Sequence, residues 1–374
     1  MKPLATYIHW PYCLKKCPYC DFNSHVTNHV DHQAWREAYA REIEYYAGLA
    51  KGRMITSIFF GGGTPSLMEP ETVAHVLSTL KRYWPLSDDV EITLEANPTS
   101  IESSKFQDFK DAGINRVSVG IQSLRDEQLK FLGREHNADE ALRALNIAND
   151  IFDRVSFDLI YARPDQTLDQ WRDELIEALA YAKGHLSLYQ LTIENGTQFK
   201  TLRDSGRLVE LDYDIAGDMY AMTAEIMDGA GMPAYEISNY ASVGNESRHN
   251  LTYWRYQDYI GVGPGAHGRL TLPNGDRVAT RTHKAPDIWM KHVTDGGHGA
   301  KPFDYLSPRD QLEEKIMMGL RLREGIEASL VPISPKIQML LDNGFLKKES
   351  NRLCVSLDKW PILDSILAEI LTSL

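Results

Sequence analysis

Six apolar runs alternate with helix-like stretches over the first half of this chain. The runs cover residues 4–10, 55–60, 90–94, 116–121, 155–160 and 186–193. Such alternation is typical of a parallel sheet, because the crossover between two parallel strands needs a helix that then covers the sheet. A closed parallel barrel has eight such units. Six units therefore predict an α/β fold with a partial, laterally open TIM-like barrel, and an open doubly wound sheet is the alternative.

Polar or glycine-rich groups accompany the ends of these runs. They are Gly62, Gly63 and Thr64 after the second run, Glu95 after the third, Gln122 and then Arg134 after the fourth, and Asp158 in the fifth. The carboxyl ends of parallel strands meet at one face of a barrel, where active sites form. Taken alone, each polar residue is more often a solvated loop residue, and the glycines could form only a strained turn. Their joint placement around one rim favours a shared binding site.

Three of the four cysteines, Cys13, Cys17 and Cys20, lie within eight positions of the loop after the first run. A disulfide is disfavoured, because three is an odd number and Cys354 lies in a distant segment. Structural zinc would need a fourth ligand, such as His9 or His25. A [4Fe-4S] cluster suits the pattern better, because three thiolates hold three irons and leave the fourth iron open. Zinc and thiols that only fill the core stay as alternatives.

The composition limits the partners and the compartment. A formal net charge of -12 argues against a nucleic-acid-binding surface. No apolar run approaches the roughly eighteen residues of a membrane span. Residues 1–4 lead directly into a strand-like run, which leaves no room for a signal peptide, and few, clustered cysteines favour a reducing compartment. We therefore expect a cytoplasmic protein with at most peripheral membrane association.

The length of 374 residues suggests two domains. A polar, turn-rich stretch at about residues 273–299 indicates the boundary. We predict a partial barrel over residues 1–270 and a C-terminal domain over residues 271–374. Helix-like segments at 307–323, 334–343 and 361–374, with a hairpin at 345–357, resemble a small winged-helix module. Because the chain is acidic and lacks a basic recognition helix, packing beside the barrel is a better explanation than DNA binding.

The spacing C-x3-C-x2-C of the cysteines resembles the motif of the radical S-adenosylmethionine (SAM) superfamily. In that superfamily the amino and carboxylate groups of SAM chelate the open iron. An electron from the cluster then cleaves the sulfonium and gives a 5'-deoxyadenosyl radical, so the cofactors supply the difficult chemistry. The resemblance implies that Cys13, Cys17 and Cys20 hold a [4Fe-4S] cluster and that SAM binds beside it.

Further motifs are similar to those of the coproporphyrinogen-oxidase-like branch of this superfamily. The contexts are Glu95-Ala-Asn-Pro, Gly120-Ile-Gln-Ser, Gly133-Arg-Glu-His and Phe157-Asp-Leu-Ile, together with the glycine-rich segment at Gly62, Gly63 and Thr64. The resemblance implies that this segment binds the methionine amino group, that Glu95 or Asp158 bonds ribose hydroxyls and that Arg134 pairs with the methionyl carboxylate. Gln122, Tyr7 and Tyr19 also match cofactor-contacting positions. For the two tyrosines, ordinary aromatic packing is an equal alternative.

Two sequence features separate the branches of this group. The porphyrinogen-decarboxylating enzymes have a further cysteine two residues after the third ligand and a long N-terminal extension, whereas this chain has Phe22 there and six residues before Tyr7. The segment His249-Asn-x-x-Tyr253-Trp254 matches the HNxxYW signature of a heme-chaperone branch. A neutral imidazole can ligate heme iron and aromatic rings can cover the macrocycle, although a histidine in an aromatic stretch is usually a packed core residue. His267 and His9 are second candidates.

The resemblance implies a heme chaperone that carries a [4Fe-4S] cluster, SAM and heme and delivers heme to apo-proteins of the respiratory chain. His249 would hold or pass on the heme iron. A homodimer and a place at the membrane surface are compatible with that role. The alternative is a radical SAM oxidase that decarboxylates the propionate side chains of coproporphyrinogen III. A purely structural metal-binding scaffold is a third class, and we assign no catalytic residue.

Overall fold

The structure is a computed structural model, and it describes residues 1–27 and 29–374, residue 101 by its backbone alone. The strands in chain order are β1 (Lys2–Trp10), β2 (Tyr12–Cys13), β3 (His25–Val26), β4 (Arg53–Gly62), β5 (Leu86–Ala96), β6 (Arg116–Gln122), β7 (Arg154–Tyr161), β8 (His185–Gln190), β9 (Ala234–Glu236), β10 (Asn239–Ala241), β11 (Tyr259–Val262), β12 (His267–Thr271), β13 (Arg277–Arg281), β14 (Asp304–Tyr305), β15 (Ile326–Glu327), β16 (Leu346–Glu349) and β17 (Arg352–Val355).

Helices connect these strands and cover the sheet. They are α1 (His32–Leu49), α2 (Pro70–Tyr83), α3 (Ser100–Ser103), α4 (Phe106–Ala112), α5 (Asp126–Phe131), α6 (Ala138–Ile151), α7 (Leu168–Leu179), α8 (Gln198–Asp204), α9 (Tyr213–Gly229), α10 (Arg248–Trp254), α11 (Pro286–Gly296), α12 (Pro308–Gly319), α13 (Pro335–Asp342) and α14 (Leu363–Leu371). In the described part of the chain, none of these helices combines the length and the apolar character that a membrane crossing requires.

The six predicted strands are β1, β4, β5, β6, β7 and β8, and they lie in this order as one parallel sheet. The predicted fold class is therefore confirmed. Beyond β1 the sheet continues with β11, which is parallel to β1, and then with the antiparallel strands β12, β13 and β14. Beyond β8 it continues with β10 and β9.

The sheet curves around an interior, which distinguishes it from a flat doubly wound sheet. Side chains from several strands line one internal cavity of about 210 Å³, namely Tyr7, Phe59, Glu95, Ser118, Asp158, Ser187 and Asn239. Within the described ranges, the two edge strands, β14 and β9, do not pair with each other. The result is a partial barrel that is open at its side.

The short helix α10 lies inside this barrel, near the amino ends of the strands. The carboxylate of Glu91 on β5 accepts hydrogen bonds from the backbone N–H groups of Arg248 and His249, both at 3.1 Å. A carboxylate is favourable there, because the first N–H groups of a helix lack partners within the helix. Arg154 on β7 forms an ion pair with the same carboxylate at 2.7 Å. These contacts hold α10 across the end of the barrel that lies opposite the cysteine loop.

The predicted domain boundary between residues 270 and 271 falls inside the large sheet. β13 pairs along its whole length with β12, and β14 pairs with β13. The chain therefore contributes strands to the large sheet as far as Tyr305. From α12 onward, three helices and the small sheet β15-β17-β16 form a C-terminal unit. Arg255, which follows α10, donates two hydrogen bonds of 2.9 Å to Glu324 of this unit. The unit therefore packs beside the barrel.

Candidate metal and cofactor site

A cavity of about 440 Å³ opens at the carboxyl ends of the parallel strands. The predicted site residues that line it are Cys13, Cys17, Tyr19, Cys20, Gly62, Gly63, Thr64, Glu95, Gln122, Arg134 and Asp158. Residues from the cysteine loop and from the ends of β4, β5, β6 and β7 thus meet in one place, as the parallel topology requires. Tyr7 and His249 are the predicted site residues that do not line this cavity. We call it the main cavity.

The three cysteines are free thiols that face the main cavity, with Cys13 buried and Cys17 and Cys20 half-buried. The hydroxyl of Thr64 donates to Sγ of Cys13 at 3.3 Å, and Nη1 of Arg134 donates to Sγ of Cys17 at 3.6 Å. Burial raises the pKa of the Cys13 and Cys20 thiols. Iron binding would supply the positive charge that stabilises the thiolates against this burial.

The arrangement fits a cluster with several irons. Among the residues that the structure describes, no three side chains of the ligand-forming types converge on a single metal ion. A [4Fe-4S] cluster does not need such convergence, because each thiolate binds a different iron atom. Three thiols around one cavity, with polar groups beyond them, leave space for a ligand at a fourth iron.

The turn at the end of β4 requires glycine at Gly62 and Gly63, because a side chain there would collide with residues 9–12 just before the first cysteine. Gly62 has a φ of +117°, and a Cβ atom there would lie 2.5 Å from Cε1 of His9. A Cβ atom on Gly63 would lie 2.7 Å from the carbonyl oxygen of Tyr12. The N–H groups of Gly62, Gly63 and Thr64 donate to Glu95, Trp10 and Tyr12 respectively. Because these donors are engaged within the protein, a ligand at this turn would meet acceptors, which suits a positively charged amino group.

Two carboxylates lie on the far wall of the main cavity. Burial, followed by the charge of Asp158, raises the pKa of Glu95 to about 8. Burial also raises the pKa of Asp158 to about 6, although Ser118 donates to its Oδ1 at 3.3 Å. Two neighbouring carboxylates that are both poorly solvated would be stabilised by hydroxyl donors from a ligand. The pair therefore suits a sugar ring.

Arg134 is held in the wall of the main cavity by hydrogen bonds. Its Nη2 donates to Oδ1 of Asn97 at 2.6 Å and to the carbonyl of Gly120 at 2.8 Å. Its Nε is buried and has no hydrogen-bond partner among the described residues. The guanidinium group lines the main cavity, and its positive charge there is favourable for a carboxylate. The residues present therefore fit the amino, carboxylate and ribose groups of SAM.

Sequence reasoning missed Asn97, which connects Arg134 to the cysteine side of the cavity. Its side-chain amide donates to the hydroxyl of Thr64 at 3.3 Å. Asn97 belongs to the Glu95-Ala-Asn-Pro motif, and its position just after a strand could have indicated that it faces the site. Gln122 has a φ of +74°, which is unusual for a residue other than glycine and indicates a turn held by its surroundings.

Tyr7 lies next to the main cavity. It lines the internal cavity of the barrel and a second, open groove, and its hydroxyl is 3.0 Å from Nδ1 of His9. Glu95 lines all three spaces and forms the wall between them. A direct contact of Tyr7 with the cofactor stays a prediction.

His249 lies inside the barrel and is 0% exposed. Its Nδ1 is 3.0 Å from the hydroxyl of Ser57, and its Nε2 is 2.6 Å from the hydroxyl of Tyr253. Burial lowers the pKa of the imidazole to about 3, so the ring is neutral. Both nitrogens are engaged, which matches the alternative of a packed core histidine. Iron binding by His249 stays a prediction, and it would require these hydrogen bonds to open.

The open groove beside the main cavity has a volume of about 480 Å³. We call it the aromatic groove and define it by Phe22, Tyr253, Trp254, Tyr259, His267 and Met318. Its lining includes residues from β1, β11, β12 and α10 of the barrel and from α12 of the C-terminal unit. The sequence analysis named four of these residues for separate reasons: Phe22, Tyr253, Trp254 and His267. It did not place them in one groove, because they come from distant segments of the chain.

Models of two protein families match the chain. The radical SAM superfamily matches residues 7–198, and the HemN C-terminal domain matches residues 306–358. The second match begins where the large sheet ends, which agrees with the C-terminal unit of the structure.

Curated relatives extend the similarity over most of the chain. A protein of Danio rerio named radical S-adenosyl methionine domain-containing protein 1, mitochondrial, is 41% identical over 99% of this chain and 87% of its own length. The heme chaperone HemW of Escherichia coli is 39% identical over 84% of each chain. HemW of Haemophilus influenzae is 40% identical over 78% of this chain and 76% of its own.

Among solved structures, coproporphyrinogen III oxidase (HemN) of Escherichia coli superposes with a TM-score of 0.82, over 100% of this chain and 91% of that chain. The sequence identity is 21%, so this likeness shows a shared fold and carries nothing about activity.

Proposed function

This chain belongs to the radical SAM superfamily, within the group that contains the heme chaperone HemW, and from that premise we propose that it is a heme chaperone. It would hold a [4Fe-4S] cluster and SAM, bind heme and transfer it to apo-proteins of the respiratory chain. The observation that carries the proposal is the 39% identity to the HemW protein of Escherichia coli over 84% of both chains. That similarity includes far more than the cluster motif.

In this proposal the residues of the main cavity would bind both the cluster and SAM. Cys13, Cys17 and Cys20 would hold the cluster, and Thr64 and Arg134 orient two of these thiols through hydrogen bonds. The cluster and SAM, when bound, supply one-electron chemistry. The guanidinium of Arg134 would bind the carboxylate of SAM, and Glu95 and Asp158 would accept hydrogen bonds from its ribose.

The rival function is oxidative decarboxylation of coproporphyrinogen III. The fold likeness to HemN permits it, because the barrel and the C-terminal unit are shared. The side chain of Phe22 argues against it, since it stands where the resembling enzymes have a further cysteine. Phe22 is 58% exposed at the rim of the main cavity, so an apolar ring replaces a thiol at a position that a ligand can reach.

One anaerobic experiment separates the two functions. The full chain, reconstituted with iron and sulfide, is incubated either with hemin and an apo-cytochrome or with coproporphyrinogen III, SAM and a reductant. We expect stoichiometric heme binding and heme transfer in the first mixture. Protoporphyrinogen together with 5'-deoxyadenosine in the second mixture would refute the chaperone proposal.

We also propose a cytoplasmic location, at most peripheral membrane contact and a homodimer. The clustered cysteines in a chain with few others support the location. The membrane contact and the homodimer rest on the resemblance to the heme-chaperone branch. Fractionation of cells and light scattering of the purified holoprotein test these points. Integral behaviour in carbonate extraction, or a strictly monomeric mass, would contradict them.

A further inference from the structure

We infer that heme binds in the aromatic groove, with His267 as the axial ligand of its iron and Lys284 as a partner of a propionate. This inference rests on the proposed function, because it names where the cargo of that function is held. It differs from the expectation drawn from the signature motif, which placed the iron on His249.

The groove has the shape and surface for a flat apolar ring. Tyr253, Trp254 and Tyr259 are half-buried along one side, and the rings of Tyr253 and Tyr259 pack edge to face with centroids 4.5 Å apart. Met318 contributes an apolar thioether from α12. Aromatic and thioether groups with one free face contribute much apolar contact area to a macrocycle.

Among the three candidate histidines, His267 is the one with free nitrogens. Both ring nitrogens of His249 are hydrogen-bonded, and those of His9 contact the Tyr7 hydroxyl at 3.0 Å and the Asn23 carbonyl at 2.9 Å. The His267 ring is exposed, lines the groove and has no hydrogen-bond partner in the described part of the chain. A neutral imidazole with an accessible lone pair is the usual axial ligand of heme.

The charges around His267 complement the two carboxylates of heme. Burial, and then the charges of Arg269, Lys284 and Arg281, lower the pKa of His267. Arg269 pairs with Glu314 at 2.7 Å and Arg281 with Asp304 at 3.4 Å. Lys284 lines the groove and has no ion-pair partner among the described residues. The surroundings of His267 are therefore locally cationic in a chain whose net charge is -12, and the charge of Lys284 is available to pair with a propionate.

The segment His249–Trp254 contributes side chains both to the internal cavity of the barrel and to the aromatic groove. His249 lines the internal cavity of the barrel, Trp254 lines the aromatic groove, and Tyr253 lines both. Because Nε2 of His249 bonds the Tyr253 hydroxyl, this histidine acts as a positioning residue for the wall of the groove. The groove also shares Phe22, Gly62 and Glu95 with the main cavity, so bound heme would lie beside the cluster site.

The test is a hemin titration of the reconstituted full chain, read by absorption and electron paramagnetic resonance. His267→Ala should weaken hemin binding on the order of tenfold and shift the Soret band, while iron content and SAM affinity stay unchanged. Free imidazole should restore the spectrum. Lys284→Glu should weaken binding without changing the ligand spectrum. His292→Ala, an exposed histidine outside the groove, is the matched control.

The outcomes distinguish this inference from the proposed function. If the wild-type chain does not bind hemin stoichiometrically, the chaperone proposal fails. If the wild-type chain binds it and His267→Ala keeps the wild-type affinity and spectrum, the location in the aromatic groove is refuted while the function stands. A His249→Ala spectrum that changes its ligand type while that of His267→Ala does not would place the iron inside the barrel.

Discussion

Nε2 of His249 lies 2.6 Å from the hydroxyl oxygen of Tyr253, one helical turn further along α10. The other ring nitrogen contacts Ser57 on β4, so the imidazole joins the helix to the barrel wall. The histidine of the signature motif is therefore a buried structural connection in this structure. Substitution of His249 should therefore lower the stability of the folded protein, and any effect on ligand binding should follow from that loss.

We expect His249→Ala to destabilise the protein by about 2–4 kcal/mol, because it opens a cavity and removes the hydrogen-bond partner of the Ser57 and Tyr253 hydroxyls. His249→Gln should recover part of this loss, since an amide can serve both hydroxyls. Chemical denaturation of the two variants, monitored by circular dichroism, measures the difference. Equal stability of His249→Ala and the wild type would contradict the structural role.

The stability that His249 contributes should depend on pH. Burial lowers the pKa of its folded state from 6.5 to about 3. Between these values the unfolded chain binds a proton that the folded chain does not, so stability rises with pH across this window. The contribution is full above pH 6.5 and should fall by about 2 kcal/mol at pH 5.

Comparison with His249→Gln isolates this effect, because glutamine does not titrate. We expect the stability difference between the wild type and this variant to shrink as the pH falls from 7 to 5. A difference that does not vary with pH would mean that the histidine is already solvated or charged in the folded protein.

Cys13→Ser should abolish cluster assembly, because it removes one of the three thiolates that face the main cavity. We expect the iron and sulfide content after reconstitution to fall far below that of the wild type, with loss of the visible absorption of the cluster. Cys354→Ser is the matched control, since Cys354 is buried in the C-terminal unit, where its Sγ donates to the carbonyl of Glu324. Equal iron loss in both variants would argue against a site-specific role.

The barrel was predictable because its information is local. Each apolar run has its own turn and helix signals, and parallel strands bring their carboxyl ends together whatever the details of packing. Thus the cysteine loop, Glu95 and Asp158 could be assigned to one rim from their order in the chain. The glycines were predictable as a turn, but the reason for them, a contact with His9 and Tyr12, is a tertiary one.

Three features depended on tertiary packing and were not available from the sequence. α10 has seven residues, and its sequence does not say on which side of the sheet it packs. The polar stretch predicted as a boundary contains β13, a strand in which only Val278 and Thr280 are buried. The aromatic groove combines residues as distant as Phe22 and Met318, which no motif connects.

Gly63→Ala should disturb the cluster loop, because its Cβ atom would lie 2.7 Å from the carbonyl oxygen of Tyr12 and within 2.9 Å of Pro11. Backbone atoms cannot move aside as a flexible side chain can, so we expect slower and less complete cluster assembly and a lower melting temperature. Gly48→Ala in α1 is the control, because a Cβ atom there meets nothing within 4 Å. That variant should be neutral or stabilised by up to about 1 kcal/mol.

Arg134→Gln should weaken SAM binding on the order of tenfold or more, because a carboxylate would lose its charged partner in the wall of the main cavity. Arg134→Lys should not restore the affinity, since an ammonium group does not reproduce the fork in which Nη2 contacts Asn97 and Gly120 while Nη1 contacts Cys17. Equilibrium dialysis with the reconstituted protein measures the affinity, and iron content shows whether the bond to Cys17 matters for the cluster.

Arg125→Gln is the control, because Arg125 is half-exposed and pairs with Glu177 at 2.6 Å outside the cavity. Wild-type SAM affinity in Arg134→Gln, with the cluster intact, would remove this arginine from the cofactor site.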